Sequence, residues 1–250
     1  MDILILILLT LLGLCVGSFC NVLIYRLPKG EEFVKTPSHC MTCGHPLKWY
    51  ELIPVFSWLA QGGKCRKCGV KLSPQYPIVE ALNGLMWLVT GLLFRGDWLT
   101  VGLYCGLYSL LMVLSVIDWR TFTIPNGINL AILVLGVVRL VTDLGNWPLY
   151  LIGLISVSLV FLLLHVLTGG NGLGMGDVKL VGAAGLLLGW PNMILAVLVG
   201  SLSGAIIHSV RMRGGAGRKL AFGPYLAAGI WFSVLFGNQI ITAYLSLFGL

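Results

Sequence analysis

Charge is scarce in this 250-residue sequence: 10% of residues are charged, 58% are hydrophobic, and Asp and Glu together number nine. Soluble domains average roughly 25% charged residues, so the shortage excludes a soluble globular enzyme. It also makes any acid inside an apolar stretch conspicuous, because an ionisable group at membrane depth is costly. The first 25 residues lack the marks of a signal peptide. Asp2 stands where positive charge is usual, the apolar run exceeds an h-region, and no small-residue cleavage site follows. They read as a retained first helix.

What the sequence has in abundance is apolar runs of the roughly 17–25 residues that a helical crossing needs. They fall near 3–25, 77–94, 98–117, 124–141, 149–167, 192–210 and 221–247. A shorter segment at 178–189, ended by Gly189-Trp190-Pro191, makes eight; it is short for a full crossing and is expected to tilt or to be partly buried in protein. Gly237-Asn238 is a candidate break in the last helix. The expected fold class is therefore an all-α polytopic membrane protein of about eight transmembrane helices. Positive charge sets its orientation. Between Arg26 and Tyr76 eight basic residues face three acids, a net of +5, and Arg211, Arg213, Arg218 and Lys219 follow the seventh span. Eight crossings put both basic loops on the cytoplasmic side and both termini outside. The formal charge of +7 then reflects topology and anionic lipid, with no call for nucleic acid.

Residues 26–76 form the one long polar segment, so the expected organisation is a first helix (1–25), a cytoplasmic segment (26–76) and a membrane core (77–250). The segment holds Cys40-Met41-Thr42-Cys43 and Cys65-Arg66-Lys67-Cys68, 21 residues apart, each pair followed by glycine. Two C-x-x-C turns at this spacing aim four thiolates at one tetrahedral zinc. Disulfides are the alternative, but a cytoplasmic loop keeps its thiols reduced. Four thiolates leave no open position for a catalytic water, so the zinc role is structural. His39 and His45 flank one turn as substitute ligands. Cys15, Cys20 and Cys105 lie in apolar spans and read as small packed hydrophobes.

Asp118 and Asp177 sit at the ends of hydrophobic spans, both at cytoplasmic helix ends on the count above. Two close carboxylates share one proton; one then acts as base toward water while the other donates toward a carbonyl. Asp177 opens a helix, whose N-terminal dipole favours a carboxylate, whereas Asp118 closes one. That contrast predicts Asp177 as the ionised base and Asp118 as its protonated partner. The glycines at 169, 170, 172, 174 and 176 leave backbone open to an extended substrate strand. Pro125 suits a first helical turn, with Thr123 as its cap. Lys179 is either a salt-bridge partner or a snorkelling end residue. A proton-coupled transporter is the competing reading of the two acids, but Asn21, Asn83, Asn129 and His165 are too scattered to line a path.

The motifs also follow a recognisable order. Gly17-Ser18-Phe19-Cys20-Asn21-Val22 leads to Arg26-Leu27-Pro28, then come the two cysteine turns and Tyr76-Pro77-Ile78-Val79-Glu80. Asp118 with Ile124-Pro125-Asn126, and Gly174-Met175-Gly176-Asp177, complete the set. Nearly end to end, this resembles the prepilin peptidase (type IV leader peptidase) family of bifunctional aspartic membrane enzymes. Gly-x-Gly-Asp alone is weak, since presenilin-type proteases share it. The resemblance implies Asp118 and Asp177 as catalytic residues in a bacterial inner membrane. It implies cleavage of the basic leader of type IV prepilins and pseudopilins after glycine, at the cytoplasmic membrane face. It also implies methylation of the new N-terminal amine by S-adenosylmethionine. Met41 and Leu52 depart from the family's usual residues, and no glycine-rich nucleotide fingerprint marks a methyl-donor site. Glu80, an acid at a cytoplasmic helix end, is the best single candidate for gripping the substrate amine; a pairing with Arg26 or Lys71 is the alternative.

Overall fold

The computed structural model describes residues 2–170, 172–214, 219–247 and 249; Arg218, counted above among the basic loop residues, lies outside them. All regular structure among these residues is helical. The main helices are α1 (Asp2–Arg26), α2 (Phe56–Ala60), α3 (Gln75–Leu93), α4 (Trp98–Thr121) and α5 (Asn126–Thr142). They continue with α6 (Trp147–Leu167), α7 (Met175–Leu188), α8 (Trp190–Arg213) and α9 (Gly223–Ser246). Six of these (α1, α3, α4, α6, α8 and α9) are long and apolar enough to cross a membrane. The other two expected spans are shorter, 17 residues in α5 and 14 in α7. The chain forms two compact units, Met1–Val113 and Leu114–Leu250.

In the first unit α1 packs along α3, and small residues let the two backbones approach. A Cβ on Gly13 would press on Trp87, one on Gly17 on the Glu80 backbone, and one on Gly84 on Leu14. Side-chain amides bind the helices together: Asn83 donates to Gly13 O at 2.7 Å and Asn21 to Tyr76 O at 3.2 Å, while Trp87 donates to Ser109 Oγ at 3.0 Å. Cys20 and Cys105 are buried in this packing as expected, whereas Cys15 is exposed on the outer face of α1.

In the second unit α7 is the centre. From Leu180 to Leu188 every residue is buried, against α5 and α6 among others. A helix enclosed by protein on all sides presents no lipid-facing length, which is why 14 residues suffice. Gly153 of α6 and Gly185 of α7 meet so closely that a Cβ on either would overlap the other's carbonyl oxygen.

Two local expectations are corrected. Helix α9 runs unbroken through Gly237-Asn238. Gly237 is there for close approach, since a Cβ would collide with the Asn192 side chain of α8. Pro125 precedes the first helical residue of α5 in extended backbone, with no side-chain cap. Thr123 does not cap; its hydroxyl lies 2.8 Å from that of Thr121.

Candidate active site

Both aspartates lie in the second unit and both are nearly enclosed, Asp118 at 5% exposure and Asp177 at 9%. Asp118 stands in the last turn of α4, and its Oδ2 accepts the Gly223 N–H at 2.9 Å. Gly223 is the first residue of α9, where helical N–H groups have no partner within the helix. Pro224 has no N–H to offer, so Gly223 is the donor at that end. Only glycine fits: a Cβ at 223 would stand 2.8 Å from the same Oδ2. Asp177 is the third residue of α7, and its Oδ2 accepts the Gly174 N–H at 3.3 Å, an acid reaching back to the start of its own helix.

Neighbouring segments fix this pair. Gly176 packs on Ile124, its carbonyl accepts Asn129 Nδ2 at 3.1 Å, and Lys179 donates to Asn126 Oδ1 at 2.9 Å. Lys179 thus hydrogen-bonds the Asn126 side chain and ties the Ile124-Pro125-Asn126 turn to the start of α7. His165 Nδ1 lies 2.7 Å from the Leu173 carbonyl and steadies the glycine-rich loop before Asp177. Phe122, next to the end of α4, holds a positive φ of 55°. Such strain in a non-glycine residue persists only where the surroundings over-determine it. The two carboxylates are near enough for each to feel the other's charge.

The geometry corrects the expected division of roles. The end of α4 alone would disfavour a charge on Asp118, but the start of α9 meets the same carboxylate. Each acid therefore faces a helix N-terminus, and helix polarity no longer separates them. Gly223 is the residue that sequence reasoning missed. Its available signal was Gly223-Pro224 opening an apolar run, a helix-start pattern.

In the first unit the sulfur atoms of Cys40, Cys43, Cys65 and Cys68 all lie within 4.8 Å of one another. Cys40 and Cys68 are 3.9 Å apart, close to the separation of about 3.8 Å that follows from tetrahedral Zn–S bonds of about 2.3 Å. The two turns repeat each other. Gly44 N–H donates to Cys40 O and Gly69 N–H to Cys65 O, both at 2.9 Å, and the glycines take φ of 67° and 71°. Backbone N–H groups of Cys43 and Thr42 pull the Cys40 thiol down to about 6, while burial and the neighbouring cysteines push the Cys68 thiol up to about 11. His39 and His45 stand outside the cluster, against Pro37 O and the Glu51 carboxylate.

These two centres fall in separate family matches. Residues 11–94 match the bacterial peptidase A24 N-terminal domain, and residues 105–209 match the type IV leader peptidase family. The chain is 33% identical to the prepilin leader peptidase/N-methyltransferase of Stutzerimonas stutzeri, over 94% of this chain and 91% of that protein. The Xanthomonas campestris pv. campestris protein of the same name is 35% identical over 96% and 94%, and the Pseudomonas aeruginosa one 34% over 96% and 93%. The chain belongs to the type IV leader peptidase family. No solved structure matches it.

Asp118 and Asp177 both lie within the leader-peptidase match, whereas Gly223 lies beyond its end. The four cysteines and Glu80 lie within the N-terminal match. Glu80 is buried in the second turn of α3, and its Oε2 accepts the Val55 N–H at 2.7 Å. Neither Arg26 nor Lys71 pairs with it among the described residues. Arg26 donates instead to the carbonyls of Glu32, Thr36 and Pro37.

Proposed function

We propose that this chain is a membrane aspartic endopeptidase that removes the basic leader of type IV prepilins and pseudopilins after glycine. In this reading it then methylates the exposed N-terminal amine, with S-adenosylmethionine as donor. The observation that carries the first activity is the pair of enclosed carboxylates, each on a backbone N–H at a helix start and each within reach of the other's charge. The relatives' printed name supports both activities.

Asp118 and Asp177 share one proton. The ionised member takes a proton from water as that water attacks the scissile carbonyl, and the protonated member donates toward the carbonyl oxygen. As the tetrahedral intermediate collapses, a proton passes to the leaving amine. The two acids titrate as one unit, so the roles belong to the pair. Glycines 172 and 174, which precede Asp177, are exposed and leave their backbone accessible to a substrate strand.

Cys40, Cys43, Cys65 and Cys68 fit zinc by donor type and spacing, and bound zinc would close the 26–76 segment. S-adenosylmethionine supplies an electrophilic methyl group, and Glu80 is the acid assigned to the methyl-transfer half. Positive-inside counting supports a bacterial inner-membrane protein whose zinc segment and active site face the cytoplasm. The functional partition is then the first helix (1–25), the zinc segment (26–76) and the membrane core (77–250), with leader peptides and lipid as partners. A proton-coupled transporter is disfavoured, because Asn21, Asn83, Asn129 and His165 are engaged in hydrogen bonds to backbone.

The test is to incubate the purified protein with a leader-bearing pilin peptide and labelled S-adenosylmethionine, then weigh the products. Loss of the leader and one added methyl group are expected. An uncut peptide would refute the peptidase reading, and a cut but unmethylated one the second activity.

A further inference from the structure

The bond that Asp177 accepts from Gly174 depends on the pose of one peptide unit. The Gly174 N–H reaches Asp177 Oδ2 at 3.3 Å, and the Asp177 N–H returns a bond to Gly174 O at 3.1 Å. Glycine restricts its backbone less than any other residue, so Gly174 does not by itself hold its N–H toward the carboxylate. With Gly172 and Gly176 two residues away on either side, the local chain adds little stiffness.

A contact from another element fixes this peptide. Its other end, the Leu173 carbonyl oxygen, lies 2.7 Å from Nδ1 of His165 in the last turn of α6. A carbonyl oxygen only accepts, so Nδ1 carries the hydrogen and donates. The imidazole is itself seated against the loop. Gly170 N–H donates to His165 O at 2.9 Å, and a Cβ at 170 would stand 3.3 Å from the ring's Cε1.

His165, the Leu173–Gly174 peptide and Asp177 thus form a chain of hydrogen bonds that all run one way. Donation to the carbonyl of a peptide polarises it and makes its N–H a better donor, so such bonds strengthen one another. A better donor favours the ionised carboxylate. The other neighbours act at other points: Asn129 on Gly176 O, Lys179 on Asn126, and Asp118 through its charge.

We propose that His165 is a positioning residue for the carboxylate pair, acting on Asp177 through the Leu173–Gly174 peptide. It orients the Gly174 N–H and favours the singly protonated, active pair over the doubly protonated one. No proton leaves the imidazole in this role. The inference rests on the peptidase reading above.

Two substitutions separate the hydrogen bond from the packing. His165→Phe keeps a ring and loses the donor, with His165→Leu as its replacement should helix content fall by circular dichroism. His165→Asn keeps an N–H near the Nδ1 position and loses most of the ring. Cleavage of a leader-bearing pilin peptide is followed from acid to alkaline pH. His165→Phe should lower kcat severalfold with little change in KM. The acid limb of its pH profile should move up by about half a unit, the size of one weakened hydrogen bond. The direction is upward because a weaker donor leaves Asp177 holding its proton to higher pH. His165→Asn should restore the wild-type limb. A loss equal at every pH, or an Asn variant worse than the Phe variant, marks His165 as packing and overturns the proposal. So does a Phe variant with the wild-type rate and profile.

Infrared titration of the Asp177 carboxyl band in Asp118→Asn protein gives a second reading that needs no turnover, the band being identified by its loss when Asp177→Asn is added. Its midpoint should rise by a similar amount with His165→Phe, and an unmoved midpoint overturns the proposal. A chain that cuts nothing but shows the moved midpoint fails only as a peptidase; one that cuts with neither shift fails here alone.

Discussion

Asp118 and Asp177 each use one oxygen to accept a backbone N–H at a helix start, and a neutral amide can accept the same bond. Asp118→Asn and Asp177→Asn should therefore leave the second unit folded while removing the shared proton. Gly223 is the sharper probe. Gly223→Ala would bring a methyl group to 2.8 Å from the Asp118 carboxylate. Overpacking of this kind costs roughly 1–3 kcal/mol, and here it falls on a reacting group. Leader cleavage by Gly223→Ala is expected to drop at least tenfold with little change in helix content by circular dichroism; wild-type turnover would show that the Asp118 carboxylate tolerates a side chain at position 223. The two acids were legible in the sequence because an acid in an apolar span is rare. Gly223 was not, because its partner is 105 residues away.

Helix α7 shows why a short apolar segment belongs in the bundle. It is enclosed by protein, and its crossing with α6 depends on two glycines with no room for a Cβ. Gly185→Val should destabilise the second unit by about 2 kcal/mol or more. The measurement is an unfolding titration in mixed micelles, and a midpoint equal to wild type would contradict the close crossing. The knuckle glycines are equally specific at their own scale. Gly44→Val places a β-branched residue at φ 67°, which costs roughly 1–2 kcal/mol. Weaker zinc retention in a competition with a metal-binding dye is the expected result. Hydrophobic pattern located every long helix within a few residues, since burial and lipid contact both follow from local composition. The ends were harder. Thr123 and Gly237 had the right residue types for a cap and a break, but tertiary contacts with Thr121 and Asn192 use them otherwise.

At the scale of the molecule, the two packing units largely follow the two family matches: residues 11–94 lie in Met1–Val113, and residues 105–209 lie in Leu114–Leu250 apart from 105–113. A polar segment of about 50 residues has too little core to order itself without a staple. Removing zinc with a chelator under reducing conditions should therefore open residues 27–74 to limited proteolysis before any helix of the second unit is cut. An unchanged digestion pattern would show that the cysteine turns hold without metal. The cysteine centre could be read from spacing alone, whereas the cavity beside it, lined by Glu51, Glu80 and Trp58 among others, could not, because these residues come together only through the folded turns.

The central claim is that Asp118 and Asp177 act as one catalytic pair. It is tested most directly by cleavage of a leader-bearing pilin peptide by the wild type and by Asp118→Asn and Asp177→Asn, with product masses and zinc content read from the same samples. The pair predicts cleavage by the wild type alone, with equal zinc in all three; cleavage at the wild-type rate by either variant would contradict it.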